Sequence, residues 1–157
     1  MPPPLIELNG EGGPYIERVY GRFLDSVVTP VRYLNGKRVS CPRLPEYDGK
    51  HHSFWHCVSE GANEADRKID LRRCERIEWI GWAIENAGTD KILQWQNERH
   101  NKQRRLLLHV PESYLVVLDE RRDFHMLVTH YVLDDRRLRK QIAEHEAYKA
   151  QKSRSRP

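Results

Sequence analysis

The fold turns on residues 91–132, KILQWQNERHNKQRRLLLHVPESYLVVLDERRDFHMLVTHYV. Apolar side chains recur there with a period of two, so 91–99, 104–110, 114–120 and 123–132 read as strands. The polar links between them are short, which favours antiparallel neighbours and hence a four-stranded meander. Strand alternation places Leu93, Trp95, Asn97 and Arg99 on one face of the first strand. In the last, Phe124, Met126, Val128 and Val132 share a side with His130, opposite His125, Leu127, Thr129 and Tyr131. The first set reads as the core face, leaving Thr129 and Tyr131 on a more polar one. A face carrying Trp, Asn, Arg, Thr and Tyr suits a nucleotide, since the aromatic ring stacks on a base and the guanidinium grips a phosphate. An ordinary half-exposed sheet would also carry such residues.

Upstream the period changes. Ile16, Val19, Tyr20, Phe23, Leu24 and Val27 recur at offsets of three and four, which predicts a helix over 15–28. Asn35-Gly36, between 31–34 and 38–41, is a strong hairpin signal. Asp70 is a good N-cap for a helix running to Ala87 and closed by Gly88, with a break or kink expected at Gly81. After the sheet, Asp134 or Asp135 caps a last helix that turns Leu138, Ile142 and Tyr148 inward. Helices followed by a sheet make the class α+β: N-terminal helices packed on a four-stranded antiparallel meander, with a C-terminal helix. Residues 1–14, rich in Pro and Gly, are expected as a mobile arm, 15–148 as a single domain and 149–157 as a disordered basic tail.

The chain has 157 residues and a formal net charge of +4, enough for one domain with a modest core. No apolar run is long enough to span a membrane, and no signal-peptide pattern opens the sequence, so no membrane partner is expected. Cys41, Cys57 and Cys74 lack C-x-x-C spacing and read as reduced thiols of a cytoplasmic protein. Residues 134–157 hold eight basic and four acidic side chains, so the whole surplus of +4 lies there. A pI near 9.0 leans toward polyanionic partners. There is no G-x-S-x-G, P-loop or G-x-G-x-x-G, which leaves acyl hydrolase, kinase and dinucleotide-enzyme readings without support.

His52 and His56, four apart, share a helical face. The H-x-x-x-H spacing fits zinc ligands, but Ser53 and Phe54 stand where a catalytic zinc motif would want an acid, so no metal and no cofactor is expected. Acid–base work by an imidazole is the more economical reading. A packed core histidine at His56 is the plain alternative. Arg72, Arg73 and Arg76 follow Asp70 on its helix and read as a solvated charged face, with Asp70, Glu75 and Glu78 near enough to pair with some of them.

Five segments, FWHCVSEG (54–61), DLRRCERI (70–77), WQNER (95–99), YLVVL (114–118) and THY (129–131), stand in this order. Together they resemble a small family of prophage- and plasmid-borne bacterial proteins related to the barnase–EndoU–colicin–RelE-like (BECR) ribonucleases, over roughly 15–148. The resemblance implies metal-independent cleavage of RNA (tRNA or mRNA) through attack by its own 2′-hydroxyl. A toxin or phage- or plasmid-conflict effector in the bacterial cytoplasm, with an antitoxin or immunity protein as partner, is the corresponding expectation. It further implies His56 as general base or acid and Arg73 with Arg99 on the phosphate. Thr129 and Tyr131 would orient or protonate the scissile group, and His52, Arg72, Trp95 and Asn97 would hold the nucleotide. A non-catalytic module that retains the fold to bind nucleic acid or protein is the alternative. His130 departs from the family pattern, which expects a small residue there. With Thr129 and Tyr131 facing the site, His130 points into the core and needs a partner; a register change would make it the catalytic imidazole instead.

Overall fold

Asn35 and Gly36 both adopt positive φ, 53° and 80°, as a two-residue type I′ turn requires. The computed structural model, which describes residues 1–9, 14–63 and 66–154, forms the hairpin as β1 (Tyr33–Leu34) and β2 (Lys37–Ser40). Further along, β5 (Leu93–Arg99), β6 (Lys102–His109), β7 (Tyr114–Glu120) and β8 (Phe124–Val132) make the expected antiparallel meander. The sheet nevertheless has six strands, not four. β2 lies parallel to β8, with Arg38 opposite Phe124 and Ser40 opposite Met126, giving the order β1-β2-β8-β7-β6-β5. That pairing joins segments more than eighty residues apart, beyond the reach of any local pattern.

The helices come mostly before the meander. α1 (Tyr15–Phe23) widens into a π-type turn over Leu24–Val28, so the predicted helix over 15–28 is real but changes its winding. α2 (His52–Val58) runs into a two-stranded ribbon of β3 (Ser59–Glu60) and β4 (Lys68–Ile69). The helix expected from Asp70 to Ala87 is instead two, α3 (Leu71–Glu75) and α4 (Trp79–Asn86). Its break falls at Arg76, where φ is −106° and ψ 16°, and not at Gly81. The turn lets Ile77 sink completely into the core.

Gly81 serves a different purpose. A β-carbon there would overlap the Ser26 carbonyl oxygen, which belongs to the π-type turn and also accepts the Arg32 Nε–H. Both contact surfaces are backbone, so neither side yields easily. Gly81→Ala should therefore destabilise the fold by about 1–3 kcal/mol, the usual cost of overpacking. Urea unfolding followed by tryptophan fluorescence reads this directly, and an unchanged midpoint would show that α4 can shift aside.

Both faces of the sheet are covered. On one, Phe23, Phe54, Ile80 and Ile84 pack with Leu107, Val116, Leu118 and Leu127. On the other, α5 (Asp135–Arg154) lies across Trp95, Leu106, Leu115 and Val117 through Leu138, Ile142 and Tyr148, the inward residues the spacing predicts. β7 is accordingly buried from Tyr114 to Asp119, as a strand covered on both faces must be. α5 continues to Arg154, through most of the stretch expected as a disordered tail; residues 155–157 lie outside the described ones. Among the described residues no helix is long and apolar enough to cross a membrane.

The expected mobile arm is tethered where it is described; residues 10–13 lie outside the described ones. Ile6 is buried and its N–H donates to the Glu75 carbonyl at 3.0 Å. The Trp79 indole N–H donates to the Pro3 carbonyl at 2.7 Å and the Tyr15 hydroxyl to that of Ile6 at 3.0 Å. A Pro-rich extended segment has no internal hydrogen bonds, so its carbonyls are open to such donors.

One irregularity decides which residues face the site. Val117 pairs with Thr129 but Leu118 with Leu127, so Val128 is an extra residue in β8, a bulge that breaks the period of two. His125 and Leu127 are buried before it and His130 after it. The expected core face of Phe124, Met126 and Val128 is thus corrected: His125 and Leu127 are the more deeply buried, and Val128 and Tyr131 pack toward α5.

Candidate functional site

Asp70 caps α3 as its residue type predicts. Its carboxylate accepts the N–H of Arg72 at 2.9 Å and of Arg73 at 3.3 Å, groups a helix start otherwise leaves unpaired. The cap holds Arg73 at the head of α3, from which its guanidinium crosses to two other elements, β3 and β8. Nη1 donates to the Ser59 carbonyl at 2.7 Å and lies 3.4 Å from Thr129 Oγ1. Nε is 3.4 Å from Asp70 and Nη2 3.8 Å from Glu60. The guanidinium carbon stands 5.4 Å from the centre of the Tyr131 ring, within cation–π range. Thr129 in turn donates its hydroxyl to the His56 carbonyl at 2.9 Å. Three of the four residues assigned to catalysis, Arg73, Thr129 and Tyr131, therefore touch.

A cavity of about 140 Å³ opens beside them, lined by Glu60, Asp70, Arg72, Arg73, Tyr131 and Arg137 among others. Three guanidinium groups and two carboxylates leave it net positive, and a phenol supplies a neutral proton donor. Glu60, Asp70 and Arg137 escaped assignment from the sequence. Glu60 and Arg137 carry no local signal, and Asp70 was legible only as a cap.

His56 joins this cluster by its backbone. Its ring lies tilted beside that of His52, the centroids 4.4 Å apart, on the shared helix face their spacing predicts, but it does not line the Arg73 cavity. His52 faces a second, larger cavity of about 590 Å³ together with Trp55, Tyr47 and Arg67. Among the described residues no three His, Cys, Asp or Glu side chains are grouped to hold a metal ion.

Trp95 and Asn97 stand apart from this cluster, and the expected role of Trp95 needs correction. Trp95 is fully buried under α5; its indole N–H and the Asn97 amide both donate to Glu144 Oε1, at 2.8 and 2.7 Å. A ring so enclosed offers no face to a base. Arg99, at the end of β5, is exposed at the mouth of a cleft between α5 and the sheet.

His130 points into the core and has the partners that orientation demands. It is fully buried, with Nε2 2.8 Å from the Cys57 carbonyl and Nδ1 2.7 Å from the Tyr114 hydroxyl. A carbonyl only accepts, so Nε2 carries the proton and Tyr114 donates to Nδ1. Burial, aided by the charges of Arg73 and Arg76, pushes this imidazole down to about 3. It is a neutral structural strut, and the reading that made it catalytic falls away. The three cysteines are free thiols, and burial raises Cys41 and Cys74 to about 12 and Cys57 further. None supplies a thiolate at neutral pH.

No family model, curated protein or solved structure matches the chain.

Proposed function

We propose that this protein is a metal-independent endoribonuclease of the BECR type, acting at the Arg73–Thr129–Tyr131 cluster. The observation that carries the reading is the cavity itself, where Arg72, Arg73 and Arg137 surround a phosphate-sized space beside a tyrosine. RNA cleavage by its own 2′-hydroxyl needs a proton acceptor, stabilisation of the charge growing on phosphorus, and a proton for the leaving 5′-oxygen. The guanidinium groups meet the second demand and the Tyr131 hydroxyl the third. Glu60, which lines the cavity with a side chain 65% exposed, is a carboxylate able to take the first proton. His56, beside Thr129, is the imidazole that family resemblance assigns to the same exchange. In the cell the protein acts in the cytoplasm of a bacterium as a toxin or conflict effector on tRNA or mRNA, held in check by an antitoxin or immunity protein.

A non-catalytic RNA-binding module is the second reading, and a specific observation favours it. Arg73 is already committed to Ser59, Asp70 and Glu60, and the His56 ring does not line the cavity. Incubating the protein with total cellular RNA and with tRNA, in chelator, separates the two. Cleavage should occur, and Tyr131→Phe and His56→Ala should each slow it by about 10²–10⁴-fold, the usual worth of an acid–base group. RNA that binds with steep salt dependence yet stays intact across a broad panel would replace the enzyme by the binding module.

A further inference from the structure

The cleft between α5 and the sheet has a volume of about 330 Å³ and lies next to the Arg73 cavity: Tyr131 and Arg137 line both. Four cations line it, Arg99, Arg104, Arg137 and Lys140, and no carboxylate does. Arg104 is 3.4 Å from Asp119, and Arg137 is 3.8 Å from Asp134 at the surface. Arg99 and Lys140 have no ion-pair partner among the described residues. So strong a local excess of one sign wants an anion.

The cleft also wants hydrogen-bond donors. Asn97 Oδ1 and Gln141 Oε1 are buried without any partner, and both residues line this cleft. An acceptor buried without a partner is costly, and a ligand carrying N–H or O–H groups removes that cost when the amides turn their oxygens toward the cleft. Leu106, Leu115 and Val117 are buried beneath it, and the half-buried Tyr131 ring gives it an aromatic edge. Inorganic phosphate would satisfy the cations alone. A nucleotide satisfies all three features, with its phosphate on the cations, its ribose or base donors on the two amides, and its base beside the Tyr131 ring.

We infer that this cleft is a nucleotide subsite, which takes one nucleotide of the RNA strand adjoining the phosphate held at Arg73; it rests on the RNA reading above. α5 is then half of the binding surface. A free nucleotide and a nucleotide within a strand present the same chemistry to it.

The test is binding, independent of cleavage. A fluorescent single-stranded RNA pentamer, 2′-O-methylated so that it cannot be cut, is titrated with the full-length protein by anisotropy over a range of salt. Arg99→Gln/Lys140→Gln removes two exposed cations and should weaken binding about tenfold, with a salt slope shallower by about 0.7 for each phosphate no longer neutralised. Gln141→Leu should weaken binding several-fold while leaving the urea midpoint unchanged or higher, because it deletes an unpaired buried acceptor; a purely structural Gln141 would not separate the two readouts. Competition by nucleoside monophosphates would assign the site to nucleotides as such, and its absence to the strand. Binding that Arg72→Gln weakens but both cleft variants leave intact would overturn the subsite while keeping the RNA reading. Failure of the wild type to bind the pentamer at any salt would remove both.

Discussion

Acidification from pH 7 to pH 4 should lower the unfolding free energy steeply, and His130 should account for about one proton of that dependence. In the folded chain its imidazole titrates near 3; in the unfolded chain it titrates near the ordinary 6.5. Between those values the unfolded state binds a proton that the folded state refuses. Unfolding therefore takes up a proton, and stability falls as pH falls, by about 1.4 kcal/mol per pH unit below roughly 6.5. By pH 4 the loss from this group is about 3 kcal/mol, a large share of what holds a small domain together. Burial also lowers His51 and His125. Against the opposing effect of burial, Arg105 and Gln96 hold Glu120 below the usual carboxylate range, so all three groups add in the same direction. His130→Gln isolates the contribution, since an amide can still donate to Cys57 and accept from Tyr114 but does not titrate. Urea unfolding of the two proteins at pH 7, 6, 5 and 4 should give a wild-type slope steeper by about one proton. Parallel curves would mean that His130 can be protonated in place.

Trp95→Ala should cost about 3–5 kcal/mol, the range for emptying a buried aromatic site. Trp95 is the largest side chain between α5 and the sheet, and its ring lies 5.4 Å from that of His145. Its removal also frees Glu144 from one of its two donors. The rest of the α5 packing rests on the partly buried Leu138, Ile142 and Tyr148, so the helix should loosen before the sheet does. Limited trypsin digestion would then cut within 135–154, where seven Lys and Arg residues are exposed, at protease levels that spare the wild type. Trp95→Phe keeps most of the packing and loses only the N–H, and should fall between the two. A Trp95→Ala protein of unchanged stability with weakened RNA binding would return Trp95 to the role of a base-stacking residue.

Trp95 and Arg73 differ in how far local patterns reveal their place in the site. Both are marked by their position in the motif set, and alternation puts Trp95 on the face with Asn97 and Arg99. That grouping is correct: all three point to the α5 side of the sheet. What alternation does not contain is the fate of that face. Only the docking of α5 buries Trp95, half-buries Asn97 and leaves Arg99 exposed. Arg73 is legible as one member of a charged helix start, and Asp70 as its cap. That it spans to Thr129, fifty-six residues on, depends on β8 lying beside α2 and α3, which no spacing encodes.

Read alone, the sequence determined the features whose physics is local. The Asn-Gly turn, the period-two meander, the Asp70 cap and the inward stripe of α5 each follow from interactions between residues a few positions apart, and each is present. The tertiary structure decided everything that depends on pairing at a distance: the parallel addition of β2 to β8, the covering of the second sheet face, and the convergence of Arg72, Arg73, Tyr131 and Arg137. It also decided the facing of His130. A single extra residue at Val128 reverses the parity of β8, and a bulge is stabilised by the neighbouring strand and by what each side must bury, not by the letters of the strand that carries it.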